Sequence, residues 1–295
     1  MFQLPVPEFF SFDHCLSFLR RSSLEVLHRC FATGVRKAVN FGSGPVLFEV
    51  TSGDPGFLAV RVLNARVGVR LRTELDLYLR RWFDLDRDLG SFMGLAGRDP
   101  ILKPLVKKYR GYRIVGVPDL FECLVWAVIG QQINLAFAYR LKQGFVEAWG
   151  ESLDFKTERH HMFPEPGRVA RLRPESLRGI QFSRQKIEYT INIARAFVDG
   201  DLNQERLAAM PFPEAKLALT RIKGVGDWTA NYALMRCLGR PEAFPREDVG
   251  IHNALKARLK MDRKPTLPEV DEIFAKYRGH EAYASLYLWM SLHAD

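Results

Sequence analysis

The sequence has few cysteines, and they are scattered. Four cysteines occur in a chain of 295 residues, and no two of them form a CxxC pair. This spacing excludes a cysteine-rich zinc site and argues against a disulfide framework. We therefore expect buried thiols in a reducing compartment and no metal site. The cysteines are Cys15, Cys30, Cys123 and Cys237.

Long hydrophobic runs and export signals are also lacking. No stretch approaches the roughly 20 apolar residues that span a bilayer. The opening sequence MFQLPVPEFF carries neither a basic segment nor a long apolar run. We therefore expect a cytoplasmic protein with no secretion signal and no membrane partner.

Acidic residues are outnumbered by basic ones. The 43 Lys and Arg against 34 Asp and Glu give a formal net charge of +9. Such a surface favours polyanions, with nucleic acid first among them. Residues 98–113 and residues 168–186 each hold six basic residues and one acidic residue. A solvated face explains such clusters equally well unless a DNA-binding motif lies beside them.

The pattern of apolar residues changes along the chain. Residues 46–51 and 57–63 resemble strands on either side of the turn sequence GDPG at residues 53–56, which predicts a β-hairpin. From Thr73 the apolar residues recur at helical spacing, and after Gly90 no further strand is predicted.

The remainder of the chain is predicted to be helical, with residues 151–166 as a connecting loop. The predicted helices cover residues 121–149 (as one helix or two), 183–198, 214–222, 228–238, 249–259, 267–277 and 281–293.

Two glycines separate two of these helices at Gly224-Val225-Gly226. Glycine permits positive φ and lets a foreign backbone approach closely. The second helix would begin near Asp227 with free N–H groups and the positive end of its dipole, which together bind an anion such as a DNA phosphate. Lys223 would add a charged contact. For this turn taken alone, an ordinary connection between helices is the alternative.

The residues around this turn resemble those of the helix-hairpin-helix DNA glycosylases, and more narrowly the bacterial DNA-3-methyladenine glycosylase II type. The matching segments occur in the family's order, and the pairing of the hairpin with an aspartate in the next loop is specific for the superfamily. The segments are residues 121–122 and 127–133, which include Gly130-Gln131-Gln132, residues 228–232 and residues 243–248, with lesser matches at residues 162–166 and 82–86.

The resemblance implies an α+β fold, with a small N-terminal mixed α/β-sheet domain at residues 1–90. Two mainly α-helical domains would follow and contain the helix-hairpin-helix motif. One would combine residues 91–120 with 236–295, and the other, residues 121–235, would carry the hairpin. The implied partner is duplex DNA containing damaged bases, bound by a monomer associated with the nucleoid. No cofactor is expected, apart from a monovalent cation at the hairpin.

The resemblance also makes Asp248 the catalytic carboxylate of a monofunctional glycosylase in base excision repair. Cleaving an N-glycosidic bond builds positive charge on the deoxyribose. An ionised carboxylate beside that sugar stabilises the charge and orients or deprotonates the attacking water. Since a helix is predicted to follow, an N-cap role is the alternative for Asp248. Glu247 is the candidate if the match is shifted by one residue.

Aromatic residues match the positions that surround the family's base pocket. Stacking between aromatic side chains holds a flipped base, and an indole face attracts the positive charge of alkylated bases such as 3-methyladenine and 7-methylguanine. Simple core packing is the alternative for each. The pocket residues are Trp228, Tyr232 and Trp289, and the hairpin residues expected to bind phosphate are Lys223, Gly224, Val225, Gly226 and Thr229.

A flipped base leaves a gap that a wedge residue fills. In the family this residue follows the first Gln of the Gly-Gln-Gln segment, which gives Gln132 here, with the apolar Ile133 as the alternative. Gln131 is expected to hold structure rather than to touch DNA. His252, four residues beyond Asp248, is expected to be an exposed helical residue without a role.

Bifunctional members of the superfamily carry a nucleophilic lysine in the second helix of the hairpin. Trp228 stands at that position, so no Schiff base and no lyase step are expected. Two alternative functions remain, namely an oxidised-purine glycosylase and a non-catalytic or weakly catalytic helix-hairpin-helix DNA-binding repair protein. Trp228 disfavours the first alternative, and Asp248 disfavours the second.

Overall fold

The computed structural model describes residues 1–292. Its N-terminal part is a five-stranded antiparallel sheet with two helices. The elements are strands β1 (Phe2–Pro5), β2 (His28–Phe31), β3 (Gly34–Asn40), β4 (Pro45–Ser52) and β5 (Phe57–Val62), and helices α1 (Phe12–Leu19) and α2 (Val69–Phe83). The strand order is β1-β5-β4-β3-β2.

The predicted hairpin is confirmed as β4 and β5, and it pairs Phe48 with Val62. The other three strands were not predicted. β1 and β2 have only four residues each, and the charges of Arg36 and Lys37 obscure the apolar pattern of β3. α2 begins at Val69 rather than at Thr73.

The rest of the described chain is helical apart from one short hairpin. Its elements are α3 (Gly90–Ala96), α4 (Lys103–Lys108), α5 (Leu120–Gly130), α6 (Leu135–Trp149), β6 (Ser152–Phe155), β7 (Glu158–His161), α7 (Pro166–Val169), α8 (Pro174–Arg178), α9 (Arg184–Val198), α10 (Gln204–Ala209), α11 (Phe212–Thr220), α12 (Asp227–Arg236), α13 (Val249–Leu259), α14 (Leu267–Phe274), a 3-10 turn (Ala275–Tyr277) and α15 (Glu281–Met290).

Two predictions for this part of the chain need correction. Residues 151–166 do not form only a loop, since β6 and β7 pair there with Ser152 opposite His161. Each of these strands has four residues, mostly polar and partly exposed, so the sequence offered no apolar alternation to detect. The final helix ends at Met290, and His293 lies outside the described residues.

The described residues form two main hydrophobic clusters. One joins the sheet, α1 and α2, with Leu85 and Val115 added from beyond them, and the other runs through the helices from Leu89 to Leu288. Helix α5 is buried along its length except for Glu122 and Gly130, so it is the central helix of the larger cluster. The boundaries at residues 90, 120 and 235 stay predictions. The described residues include no helix long and apolar enough to cross a membrane and no group of His, Cys, Asp and Glu that could hold a metal ion.

The two basic clusters are not wholly exposed faces. Arg113 is buried and donates to the main-chain carbonyls of Phe9, Asp84 and Arg87. Lys186 is buried as well, whereas Arg184 beside it is exposed. Arg113 therefore ties the N-terminal segment to the chain that leaves α2, and it contributes nothing to an exposed charged surface.

A buried ion pair joins the N-terminal part to α6. The Lys142 Nζ atom lies 2.6 Å from Glu25 Oε2, and both side chains are almost completely buried. Burial alone would raise the pKa of Glu25, but the charge and hydrogen bond of Lys142 lower it to about 2. Glu25 therefore stabilises the fold above the pKa of the unfolded chain, and this stabilisation is lost as the pH falls toward 2.

We predict that Arg113→Met lowers the free energy of unfolding by about 3 kcal/mol, because buried carbonyl groups lose a charged donor. Urea unfolding at neutral pH measures the change. Lys107→Met, at an exposed position of the same basic cluster, is the control and should alter stability by less than about 0.5 kcal/mol. Similar effects in the two variants would contradict the role given to Arg113.

Candidate functional site

The turn between α11 and α12 requires glycine at one position and leaves space at another. Gly224 has φ +102°, and a Cβ there would lie 2.3 Å from the ring of Tyr189. Gly226 has φ −83° and would place a Cβ in open space. Gly224 is therefore needed for the turn itself, whereas Gly226 keeps the start of α12 accessible.

The start of α12 offers main-chain donors to an anion. Gly226 is its N-cap and supplies no side-chain hydrogen bond, so the first N–H groups of the helix are uncapped. Val225 offers no donor, because its N–H bonds to the Ile222 carbonyl and its side chain is buried. Thr229 is buried too, which leaves only its N–H for a phosphate. A cation at the hairpin stays a prediction.

Lys223 is exposed and already paired. Its Nζ lies 2.5 Å from Glu188 Oε1, and this hydrogen bond raises the pKa of Lys223. Exposed ion pairs contribute little to stability. A phosphate can therefore replace Glu188 as the partner of Lys223.

Gln131 joins the end of α5 to the hairpin. Its Nε2 donates to the Gly224 carbonyl at 3.3 Å and to Thr229 Oγ1 at 3.1 Å. Buried Lys186 holds the same segment from the other side, since its Nζ donates to the carbonyls of Val128 and Gln131. Gln131 thus has the structural contacts expected from the sequence, and Lys186 is an additional support that the sequence did not reveal.

The two wedge candidates differ in their positions. Gln132 is exposed and has φ +58°, a strained conformation for a residue with a side chain. Ile133 is partly buried and packs against the helical core. The geometry therefore favours Gln132 as the residue that projects from this loop.

Asp248 accepts hydrogen bonds from three N–H donors. Trp228 Nε1 donates to Oδ2 at 2.9 Å, and Trp289 Nε1 donates to Oδ1 at 2.8 Å. The Ile251 N–H also donates to Oδ1, so Asp248 is the N-cap of α13. The N-cap role of Asp248 is therefore confirmed. Its catalytic role stays a prediction, and the two roles are compatible because the capping carboxylate also accepts hydrogen bonds from two tryptophans.

The predicted aromatic residues lie together at Asp248. The rings of Trp228 and Tyr232 stack at 5.2 Å with an interplanar angle of 16°, so Tyr232 covers one face of Trp228. Gly250 makes the arrangement possible, since a Cβ there would lie 2.8 Å from Asp248 Oδ1 and 3.1 Å from the Trp289 ring. Gly250 was not predicted from the sequence, although it lies only two residues after Asp248.

Two more residues of the site were missed. The Arg236 guanidinium is buried and lies 5.6 Å from the Trp289 ring and 5.9 Å from the Tyr232 ring. It also lies 4.9 Å from the Phe18 ring of α1. No local pattern indicates that Phe18 meets these residues, because they come from opposite ends of the chain.

His252 is not the exposed residue predicted. It is half-buried, with Nδ1 2.9 Å from the Pro265 carbonyl and Nε2 2.8 Å from the Arg246 carbonyl. These contacts fasten the loop before α13 to the segment before α14. His252 therefore helps to fix the loop that presents Asp248.

Two family models match consecutive parts of the chain. The model described as HhH-GPD superfamily base excision DNA repair protein, where HhH denotes helix-hairpin-helix, matches residues 125–278. The model for the N-terminal domain of 8-oxoguanine DNA glycosylase matches residues 39–124. The first match contains the hairpin and Asp248, and the second contains β4, β5 and the end of β3.

Known proteins resemble the chain over nearly its full length. The DNA-3-methyladenine glycosylase of Bacillus subtilis (strain 168) is 41% identical over 292 residues, covering 98% of this chain and 96% of that protein. The structure of a 3-methyladenine DNA-glycosylase from Archaeoglobus fulgidus has a TM-score of 0.86 at 22% identity, covering 98% of this chain and 97% of that one. These matches confirm the resemblance and the α+β fold class. The chain belongs to the HhH-GPD superfamily of base excision DNA repair proteins.

Proposed function

We propose that this protein is a monofunctional DNA glycosylase that hydrolyses the N-glycosidic bond of alkylated bases flipped out of duplex DNA. The observation that carries the proposal is the carboxylate of Asp248, which accepts hydrogen bonds from Trp228 and Trp289 on the α12 side of the hairpin. Its partners among residues 1–292 are three N–H donors, which suits a carboxylate because its oxygens only accept hydrogen bonds. The protein acts as a monomer on nucleoid DNA.

The reaction requires the protein to supply a stabilising negative charge and to position the attacking water. As the bond to the base breaks, both bonding electrons leave with the base, and positive charge develops on the sugar. The Asp248 carboxylate stabilises this charge, and it orients the water whose oxygen bonds to the sugar carbon. Because the two indole groups hold both oxygens, the carboxylate needs little rearrangement in the transition state.

Trp228 supports a reaction without strand cleavage. A lyase step needs an amine that forms a Schiff base with the sugar. The position where bifunctional relatives carry that amine is occupied here by an indole hydrogen-bonded to Asp248. We therefore expect hydrolysis to leave an intact abasic site.

Alkylated bases suit this site. The Bacillus subtilis relative is named a DNA-3-methyladenine glycosylase, and a purine alkylated on a ring nitrogen is cationic and leaves readily. Such a base needs no strong acid, and the site offers a carboxylate and aromatic rings instead. The uncovered face of Trp228 is the surface on which the base stacks.

The protein binds DNA through the phosphates of the DNA backbone. The uncapped N–H groups at the start of α12 and the side chain of Lys223 bind phosphates of the damaged strand. Gln132 enters the space left by the flipped base. Such binding depends on salt and carries little preference for base sequence.

An oxidised-purine glycosylase is the second candidate, because the N-terminal match is to the 8-oxoguanine DNA glycosylase domain. That match covers residues 39–124, which exclude both the hairpin and Asp248. The same experiments on DNA containing 8-oxoguanine distinguish the two substrates.

We predict that Asp248→Asn lowers the rate of base release from alkylated duplex DNA by at least about 100-fold, because the charge beside the sugar is lost. Release of free 3-methyladenine and 7-methylguanine is measured, and strand nicks are scored before and after alkali. The wild-type protein should produce nicks only after alkali. Tight DNA binding without base release by the wild type would favour the non-catalytic alternative.

Removing either indole donor should affect the chemical step more than binding. Trp228→Phe and Trp289→Phe each keep a ring but remove one hydrogen bond to a charged group, which is expected to slow single-turnover base release about tenfold or more. Trp149→Phe, in α6 away from Asp248, is the control. A loss of DNA affinity with unchanged single-turnover rates would contradict the positioning role.

The two hairpin glycines should respond differently to alanine. Gly224→Ala is expected to lower Tm, because it combines a positive φ with a clash against Tyr189. Gly226→Ala is expected to leave Tm unchanged and to raise the Kd for duplex DNA, because the new methyl group points into open space where the phosphate binds. Unchanged DNA affinity in Gly226→Ala would contradict phosphate binding at this turn.

A further inference from the structure

The loop before α13 packs against α14. The rings of Phe244 and Phe274 stack with their centroids 3.8 Å apart and an interplanar angle of 13°. Arg246 donates to Asp271 at 2.6 Å in a partly exposed ion pair. The chain that leads to Asp248 is therefore held by α14 as well as by the donors to its carboxylate.

His252 joins this loop to the chain before α14 through both of its ring nitrogens. Nε2 lies 2.8 Å from the carbonyl oxygen of Arg246, and Nδ1 lies 2.9 Å from that of Pro265. Pro265 is buried and directly precedes Thr266, the N-cap of α14. The half-buried ring thus spans two segments that are 19 residues apart in sequence.

Only one protonation state of the ring makes both contacts favourable. A main-chain carbonyl oxygen accepts hydrogen bonds and donates none, and a neutral imidazole carries a single N–H. In either neutral tautomer, one ring nitrogen would therefore face a carbonyl oxygen with its lone pair. With a proton on each nitrogen, both contacts become hydrogen bonds from a charged donor, which are stronger than those between neutral groups. The geometry at His252 therefore suits an imidazolium.

The charged groups around the ring have partners of their own or lie in solvent. The Asp248 carboxylate accepts hydrogen bonds from three N–H donors. Arg246 is paired with Asp271, and Arg263 is paired with Glu269. The two carbonyl oxygens are thus the direct partners of the ring. The other charged side chains of α13, of α14 and of the chain beside them are exposed, namely Glu247, Lys256, Arg258, Lys260, Asp262, Lys264 and Glu272.

We propose that His252 is a positioning residue that acts as a cation, and that its two ring hydrogen bonds fix Asp248 for the chemical step. Its main-chain N–H donates to the Asp248 carbonyl at 3.1 Å, while its ring holds Arg246, two residues before Asp248. His252 therefore restrains the main chain at Asp248 and before it. The inference rests on the proposed glycosylase function.

The proposal implies a dependence on pH that arises outside the Asp248 carboxylate. An imidazole in an ordinary environment changes its charge between about pH 5 and pH 8. As the pH rises and the ring loses one proton, one of its two contacts turns from attraction to repulsion, and the loop loses a restraint. A less well-placed carboxylate stabilises the sugar cation less. Base release should therefore slow as the pH rises, whereas DNA affinity should not follow the charge of this ring.

The test measures single-turnover release of 3-methyladenine from alkylated duplex DNA across the range of about pH 5 to about pH 8. His252→Gln keeps an amide donor but carries no charge at any pH, so it is expected to be about tenfold slower than the wild type at the acidic end. The ratio of the two rates should fall toward one as the pH rises. Ionisation of the base cancels in this ratio, because both proteins act on the same DNA. His161→Gln, in β7, is the control and should match the wild type throughout.

Nitrogen-15 NMR of the histidine rings reads the charge without reference to activity. The ring signals that disappear in His252→Gln belong to His252. They should show a proton on both nitrogens at the acidic end of the range, and the loss of one proton should parallel the fall in the rate ratio.

The outcomes separate the inference from the proposed function. A slower His252→Gln whose rate ratio to the wild type does not change with pH would mean a purely structural role and would overturn the inference. Equal rates in the two proteins, or a neutral His252 ring at the acidic end, would overturn it as well and leave the proposed function intact. Absence of base release by the wild type at every pH would remove both.

Discussion

The hydrogen bonds that converge on the carboxylate of Asp248 are the interaction on which the rest of the site depends. Trp228 and Trp289 donate to different oxygens of this group, and the Ile251 N–H in the first turn of α13 also donates to it. The two indoles come from α12 and α15, so the carboxylate fixes two helices relative to a third. The same contacts aim the aromatic rings, because an indole that donates to Asp248 has little freedom to turn.

The helix-hairpin-helix turn and the loop after α5 are linked to the Asp248 carboxylate through a few hydrogen bonds. Trp228 lies in the first turn of α12, so the helix whose uncapped N–H groups are proposed to bind a phosphate also carries a donor to the carboxylate. Gln131 links the hairpin carbonyl of Gly224 to the loop that projects Gln132. A few polar contacts thereby connect the residues proposed for phosphate binding, for insertion into the base stack and for catalysis.

The local sequence predicted the structural features that depend on backbone conformation. Gly224 was predictable because a positive φ selects glycine, and the β4–β5 hairpin was predictable from its turn. The β6–β7 hairpin was missed because its strands are short and polar. Phe18 was missed for another reason: it meets Arg236 only through the packing of α1 against the helical part, which no local pattern encodes. The same applies to Arg113, which looked like one of several surface charges but is buried.

The central claim is that the charge of Asp248 stabilises a positively charged sugar. The most direct test measures the affinity for duplex DNA containing an abasic-site analogue with a cationic ring nitrogen, relative to the uncharged tetrahydrofuran analogue. The wild type should prefer the cationic analogue strongly, since it imitates the transition state, and Asp248→Asn should lose that preference. An equal preference in both proteins would contradict the claim.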